Sequence, residues 1–140
     1  MAESRIKWQK GMTFDVELDG HTFAIDATSQ VGGKNLGPRP KGLMLSALGG
    51  CTGMDVVSIL RKMKVEDYQL EIVVTADQTT EHPKTLKDIM IDYQFTGNDL
   101  PIAKLKRAVE LSETTYCGVS AMLRKATAIN HTISVNGETI

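Results

Sequence analysis

What this sequence does without narrows its chemistry. Two cysteines, Cys51 and Cys117, occur in 140 residues, and no CxxC or HxxxH spacing accompanies them. The usual closed zinc site needs four clustered Cys or His ligands. His21, His82 and His131 are scattered and read as strand or loop residues, so no metal and no cofactor is expected. Charge of one sign is equally scarce: 16 Lys and Arg against 17 Asp and Glu give a formal net charge of −1. With both signs mixed along the chain there is no basic stripe for nucleic acid and no polybasic segment for a membrane surface.

Long hydrophobic runs are missing too. Residues 1–9 carry Glu3, Arg5 and Lys7 and no apolar core, which does not read as a secretory signal. The longest apolar stretch, Leu43 to Leu60, is interrupted by Ser46, Thr52, Asp55 and Ser58. A membrane span needs about 20 predominantly apolar residues, so a buried core helix is the expectation. Two cysteines without an export signal point to a reducing compartment, hence a cytoplasmic protein, where disulfides are more often transient than structural.

What is present suits a globular chain. Hydrophobic residues at 41% and charged residues at 24% give a core of ordinary size, and the length fits a single domain over 1–140. Residues 5–9 and 12–18 read as strands, with Phe14, Val16 and Leu18 alternating against Asp15 and Glu17. Asp19-Gly20 signals a hairpin into a third strand at about 21–27. A connector over 28–40, with Gly37-Pro38 and Pro40, leads to a helix over about 42–63. That helix contains Gly42, Gly49, Gly50 and Gly53, each unfavourable by about 1 kcal/mol against alanine. Close approach to its backbone is therefore expected, with the helix central and packed on most sides.

A second β block follows. Residues 69–76 alternate loosely, and Ile89, Ile91, Tyr93 and Phe95 alternate cleanly with Met90, Asp92 and Gln94. Asp99 and Pro101 read as a helix start for 101–115. Tyr116-Cys117-Gly118 breaks that helix, 119–125 reads as a short helix, and 129–135 as a last strand. The order is βββ-α-ββ-αα-β, an α+β fold with segregated elements and antiparallel sheet.

The two cysteines carry the chemistry, and two readings of them stay open. Free cysteine is commonly a small buried hydrophobe. Against that, a Gly-Gly pair before Cys51 leaves bare backbone beside a thiol, with room for a substrate or a second sulfur. A nucleophilic thiol works as thiolate, and Cys51 lies too deep in its helix for the dipole, which fades within one turn. A cation must then activate it, and Arg39, Lys41, Arg5 and Arg61 are the candidates. Asp55, one turn beyond Cys51 on the same face, is a further candidate, as the group that orients such a cation.

The stretch from Gly37 through Pro38, Arg39, Pro40, Lys41 and Gly42 to Gly49-Gly50-Cys51-Thr52-Gly53-Met54-Asp55 resembles the first cysteine motif of the OsmC/Ohr family. Tyr116-Cys117-Gly118-Val119-Ser120 resembles its second. That family comprises osmotically induced and organic hydroperoxide resistance proteins, and the element order fits it along the whole chain. The resemblance implies an intertwined homodimer with two long central helices wrapped by sheet. It implies a thiol-dependent peroxidase acting on organic hydroperoxides or hydrogen peroxide. Cys51 would attack the peroxide and become a sulfenic acid, and Cys117 would close a disulfide with it. A dithiol reductant, of lipoyl type in studied branches of the family, would reopen that disulfide. An arginine would hold the thiolate, itself held by a glutamate ten residues before the cysteine. Here the sequence departs from the family, for Lys41 stands at that position, followed by Gly42, and Gly118 stands where proline often follows the second cysteine. The rival reading is a non-enzymatic dimer of this family that binds a small ligand in its interface cleft.

Overall fold

The computed structural model describes residues 1–140. The chain divides into two compact units, Met1–Met44 and Leu45–Ile140. In the first, β1 (Ser4–Lys10), β2 (Thr13–Leu18) and β3 (His21–Ile25) form an antiparallel sheet in the order β1-β2-β3. The Asp19-Gly20 turn joins β2 to β3 with both residues at positive φ, 51° and 78°, as a two-residue hairpin of this composition requires.

The connector after β3 contains a short 3-10 turn, Ser29–Val31, and is organised around Asp26. Its buried carboxylate accepts hydrogen bonds from Thr13 Oγ1 and from the backbone N–H groups of Ala27, Lys34 and Leu36. Burial alone would push this carboxyl up. The backbone amides of Ala27 and Leu36, the Thr13 hydroxyl and the Lys34 amide outweigh it and hold the group below its ordinary value.

The second unit holds the main core. Strands β4 (Gln69–Gln78), β5 (Leu86–Thr96), β6 (Ile129–Val135) and β7 (Glu138–Thr139) form one sheet in that order. β4 and β5 are antiparallel, but β6 runs parallel to β5. The sheet is thus mixed where the sequence suggested antiparallel pairing throughout. The physical reason is the crossover: α2 (Ile102–Leu111) and α3 (Gly118–Leu123) carry the chain back before β6 begins. On β5 the alternating Ile89, Ile91, Tyr93 and Phe95 are all buried. They pack with Leu48, Val56 and Leu60 of α1 (Gly42–Lys62) and with Leu105, Ala108 and Val109 of α2.

Two of the helix glycines have a packing role. A Cβ on Gly49 would lie 3.0 Å from Val74 Cγ2, and one on Gly53 would lie 3.0 Å from Ile72 Cδ1, so α1 lies against β4 at glycine distance. Gly42 and Gly50 have open space instead. Within this one chain α1 is packed along one face. It buries a single stripe, Leu48, Thr52, Val56 and Leu60, at the four-residue spacing of one helix face. Met44, Met54 and Val57 remain exposed. α1 is long and apolar enough to pass as a membrane span by composition, yet its buried stripe belongs to the core formed with β5 and α2.

Candidate functional site

Three elements converge on the cysteine pair. α1 presents Cys51 and, one turn later, Asp55. α2 does not run on to residue 115 but ends at Leu111 and passes into a π-helical turn, Ser112–Tyr116. That turn is closed by the Cys117 N–H donating to the Ser112 carbonyl at 2.8 Å, a bond spanning five residues. Such single π turns widen a helix locally and recur at functional sites. Its effect here is to deliver Ser112 and Cys117 to the same side. The start of α2 also differs from expectation. Pro101, with no side-chain cap, occupies the position before the helix, while Asp99 sits at φ 49° in the preceding turn.

The result is a cluster in which Cys51 Sγ, Cys117 Sγ and an Asp55 carboxylate oxygen all lie within 4.8 Å of one another. Both thiols are free; Cys51 is half-buried and Cys117 is buried. No histidine joins them, so the donor set of two sulfurs and one carboxylate is one short of a closed structural zinc site. Burial pushes the Cys117 thiol up to about 11, with the Cys51 thiol and the Asp55 charge acting in the same direction. The Ser120 N–H, 3.3 Å from Cys117 Sγ, works against them. A cleft of about 310 Å³ opens beside Asp55, lined by Ser58, Ile59, Lys62, Met63, Leu111 and Tyr116.

Behind the sulfurs runs a chain of hydroxyls between two carboxylates. Ser112 Oγ donates to Asp55 Oδ2 at 3.0 Å. Thr52 Oγ1 lies 2.8 Å from Ser112 Oγ and 2.7 Å from Tyr93 Oη, and Tyr93 Oη is 3.4 Å from Glu113 Oε1. The other Glu113 oxygen meets His131 Nδ1 at 2.9 Å and Arg124 Nη2 at 3.4 Å. Thr52, Tyr93 and Ser112 are fully buried. Burial pushes the Tyr93 phenol far up, which the Thr52 hydrogen bond only partly offsets. The hydrogen bond with Glu113 raises His131 above its ordinary value against the effect of its burial.

Of the other residues singled out from the sequence, Arg39, Arg5 and Lys41 lie in the N-terminal unit and Arg61 in the second. Arg39 Nη1 donates to the Asp26 carbonyl at 3.4 Å, and its other terminal nitrogen donates to Asn35 Oδ1. Arg5 pairs with Glu3 at 2.7 Å. Lys41 stands in the turn before α1, where its carbonyl accepts from the Met44 N–H. Arg61, in the last turn of α1, is exposed.

Sequence reasoning missed the hydroxyl chain. Thr52 read as a polar interruption, Tyr93 as a core strand residue and His131 as an isolated strand residue; Ser112 and Glu113 gave no signal within a helical pattern. Only the spatial meeting of α1, β5, the π turn and β6 shows them as one system.

The comparisons with known proteins bear on the family and the fold. The family model described as OsmC-like protein matches residues 32–132. Protein YhfA of Escherichia coli K12 is 39% identical over 134 residues, covering 95% of this chain and 97% of YhfA. The crystal structure of an OsmC-like protein from Mycoplasma pneumoniae superimposes with a TM-score of 0.81 at 15% identity, covering 96% of each chain. An organic hydroperoxide resistance protein from Elizabethkingia anophelis gives 0.71 at 16% identity, covering 97% of this chain and 96% of its own. The last two likenesses concern the fold. With the family model spanning both cysteines and YhfA matching nearly end to end, this chain belongs to the OsmC-like family.

Proposed function

We propose that this protein is a thiol-dependent peroxidase that reduces organic hydroperoxides or hydrogen peroxide. The observation that carries the reading is the approach of Cys51 and Cys117, both free, to within 4.8 Å. The asymmetry of the pair supports distinct roles. Cys51, the more accessible, attacks the peroxide; its sulfur forms an S–O bond, the O–O bond breaks, and the departing alkoxide takes a proton to leave as alcohol. Cys117, buried and hard to ionise, then attacks the Cys51 sulfenic acid, forming the disulfide and releasing water. A dithiol, for which a lipoyl-type carrier is the candidate, returns both thiols by exchange. The cleft beside Asp55, with Ile59, Met63, Leu111 and Tyr116 in its wall, suits the organic part of a hydroperoxide.

The working unit we propose is a homodimer. Its support is the apolar face that α1 leaves uncovered at Met44, Met54 and Val57, a poor surface to leave facing water. The cation that assists Cys51 comes from Arg39, Lys41 or Arg5, and Asp55 serves the same centre. Lys41 stands where the family resemblance places a glutamate, so of the three it is the one that would bring a positive charge to that position.

Stopped-flow peroxide consumption with the thiols counted afterwards tests the reading. Wild type should consume one equivalent and lose two thiols to a Cys51–Cys117 disulfide. Cys117→Ser should consume one equivalent and stall as a sulfenic acid, and Cys51→Ser should consume none. Consumption by Cys51→Ser equal to wild type would overturn it, and ordinary thiols with no peroxide-dependent disulfide would favour the ligand-binding reading instead.

A further inference from the structure

A count of protons along the buried hydroxyls suggests a function for them. Between the Asp55 and Glu113 carboxylates there are four contacts: Asp55–Ser112, Ser112–Thr52, Thr52–Tyr93 and Tyr93–Glu113. The three hydroxyls bring one proton each, so one contact must go without. Tyr93 can direct its single proton to Thr52 at 2.7 Å or to Glu113 at 3.4 Å. The shorter choice sets the whole row pointing one way, Tyr93 to Thr52 to Ser112 to Asp55. Three donors in series then end on the carboxylate beside both sulfurs.

A fourth proton reverses the row. If it arrives on Asp55, Asp55 donates to Ser112, Ser112 to Thr52, Thr52 to Tyr93 and Tyr93 to Glu113, and all four contacts are filled. Glu113 is the natural far end, because His131, with a side chain 37% exposed, meets its other oxygen at 2.9 Å. Arg124 is the one further charged group on Glu113, at 3.4 Å. Cys51 and Cys117 are the titratable groups at the near end.

We propose that Asp55 is the proton acceptor for the cysteine pair, and that Ser112, Thr52 and Tyr93 form a reversible proton relay from Asp55 to Glu113 and His131 at the surface. The proposal rests on the thiol chemistry of the same pair and adds the route of its protons. In disulfide closure the Cys117 S–H bond breaks and its proton passes to Asp55. The Cys117 electron pair forms the S–S bond, the Cys51 S–O bond breaks, and the departing hydroxide takes a proton from solvent to become water. The proton on Asp55 moves into the row, and one leaves at Glu113. Opening by a dithiol runs the row backwards, bringing a proton to the buried Cys117 thiolate as it departs. Asp55 lies within 4.8 Å of both reacting sulfurs; Ser112, Thr52 and Tyr93 act through it.

The test follows the Cys51–Cys117 disulfide by rapid quenching with an alkylating reagent and mass spectrometry. Closure is started with hydrogen peroxide and, separately, with oxidised glutathione, whose exchange requires the Cys117 proton to leave the buried site. Tyr93→Phe and Thr52→Val, both nearly isosteric, should slow closure at least about tenfold, a floor set below the roughly 10²–10⁴-fold that a positioned proton-transfer group supplies. Thr52→Ser, which keeps the hydroxyl, should close within about twofold of wild type. Ser112→Ala replaces Thr52→Val should that variant not fold. Wild-type closure by folded Tyr93→Phe would overturn the relay, as would a Thr52→Ser as slow as Thr52→Val. A wild type that closes with glutathione but not with peroxide would refute the peroxidase reading, while the order of variants with glutathione still decides the relay.

Discussion

Thr52 is the joint of the buried row, and replacing it by valine tests the energetics with little change of shape. The hydroxyl meets Tyr93 Oη at 2.7 Å and Ser112 Oγ at 2.8 Å, and all three residues are fully buried. Ser112 keeps Asp55 as acceptor, but Tyr93 is left with Glu113 at 3.4 Å. A net loss of about 0.5–1.5 kcal/mol per hydrogen bond, raised by a poorly satisfied buried phenol, gives roughly 2–3 kcal/mol. For a chain of this size that lowers the melting temperature by roughly 10 °C. Tyr93→Phe removes one of the same bonds and should cost about 1–2 kcal/mol. Once Thr52 is valine, removing the Tyr93 hydroxyl no longer breaks a good bond, so the double variant should fall short of the sum by about 1 kcal/mol or more. Urea unfolding followed by far-UV circular dichroism measures all three, and the phenol's raised ionisation keeps the cycle free of Tyr93 titration near neutral pH. A Thr52→Val loss below about 0.5 kcal/mol, or additive losses, would refute the assignment of these contacts as strong hydrogen bonds.

Two further predictions concern the N-terminal unit. Asp26 is held below its ordinary value of 3.8, so its contribution is fully present above that pH and is lost as pH falls through the depressed folded value. Asp26→Asn should therefore lower the urea midpoint at pH 7 and close the gap to wild type near pH 2; an equal gap at both would contradict the role of the carboxylate. Gly37→Ala would place a Cβ 1.9 Å from the Ala24 carbonyl oxygen, and overpacking of this kind is unfavourable by about 1–3 kcal/mol. Faster amide exchange at Asp26, whose N–H donates to the Pro38 carbonyl at 3.2 Å, reads it, and wild-type exchange there would refute it.

Local chemistry made much of the fold legible. Alternation on β2 and β5, the Asp19-Gly20 turn and the long helix follow from side-chain period and backbone preference. The misses share a cause. The π turn depends on whether the Cys117 N–H reaches Ser112 or the residue after it, a choice set by packing around Cys117. The parallel placement of β6 depends on how α2 and α3 return the chain. β7 follows an Asn136-Gly137 turn at φ 51° and 85°, a hairpin signal of the kind read at Asp19-Gly20 but not read here. At the site, Cys51 and Asp55 share a face by helix period alone. Thr52 is separated from Tyr93 by 41 residues and from Ser112 by 60, and no local pattern links residues so far apart.

Stability and proton transfer can be separated because the same row serves both by different rules. Stability depends on whether each buried hydroxyl has a partner; transfer depends on whether the row is unbroken. The Thr52→Val/Tyr93→Phe pair leaves fewer hydroxyls without partners than its single losses imply, yet it interrupts the row as completely as either change alone. Thr52→Ser does the reverse, for it sacrifices a buried methyl, at about 1 kcal/mol by area, and keeps every link. Ordered by stability, Thr52→Ser and Tyr93→Phe should lie close together. Ordered by closure rate, they should stand at least about tenfold apart. A row retained only to fill the core would give one order for both measurements.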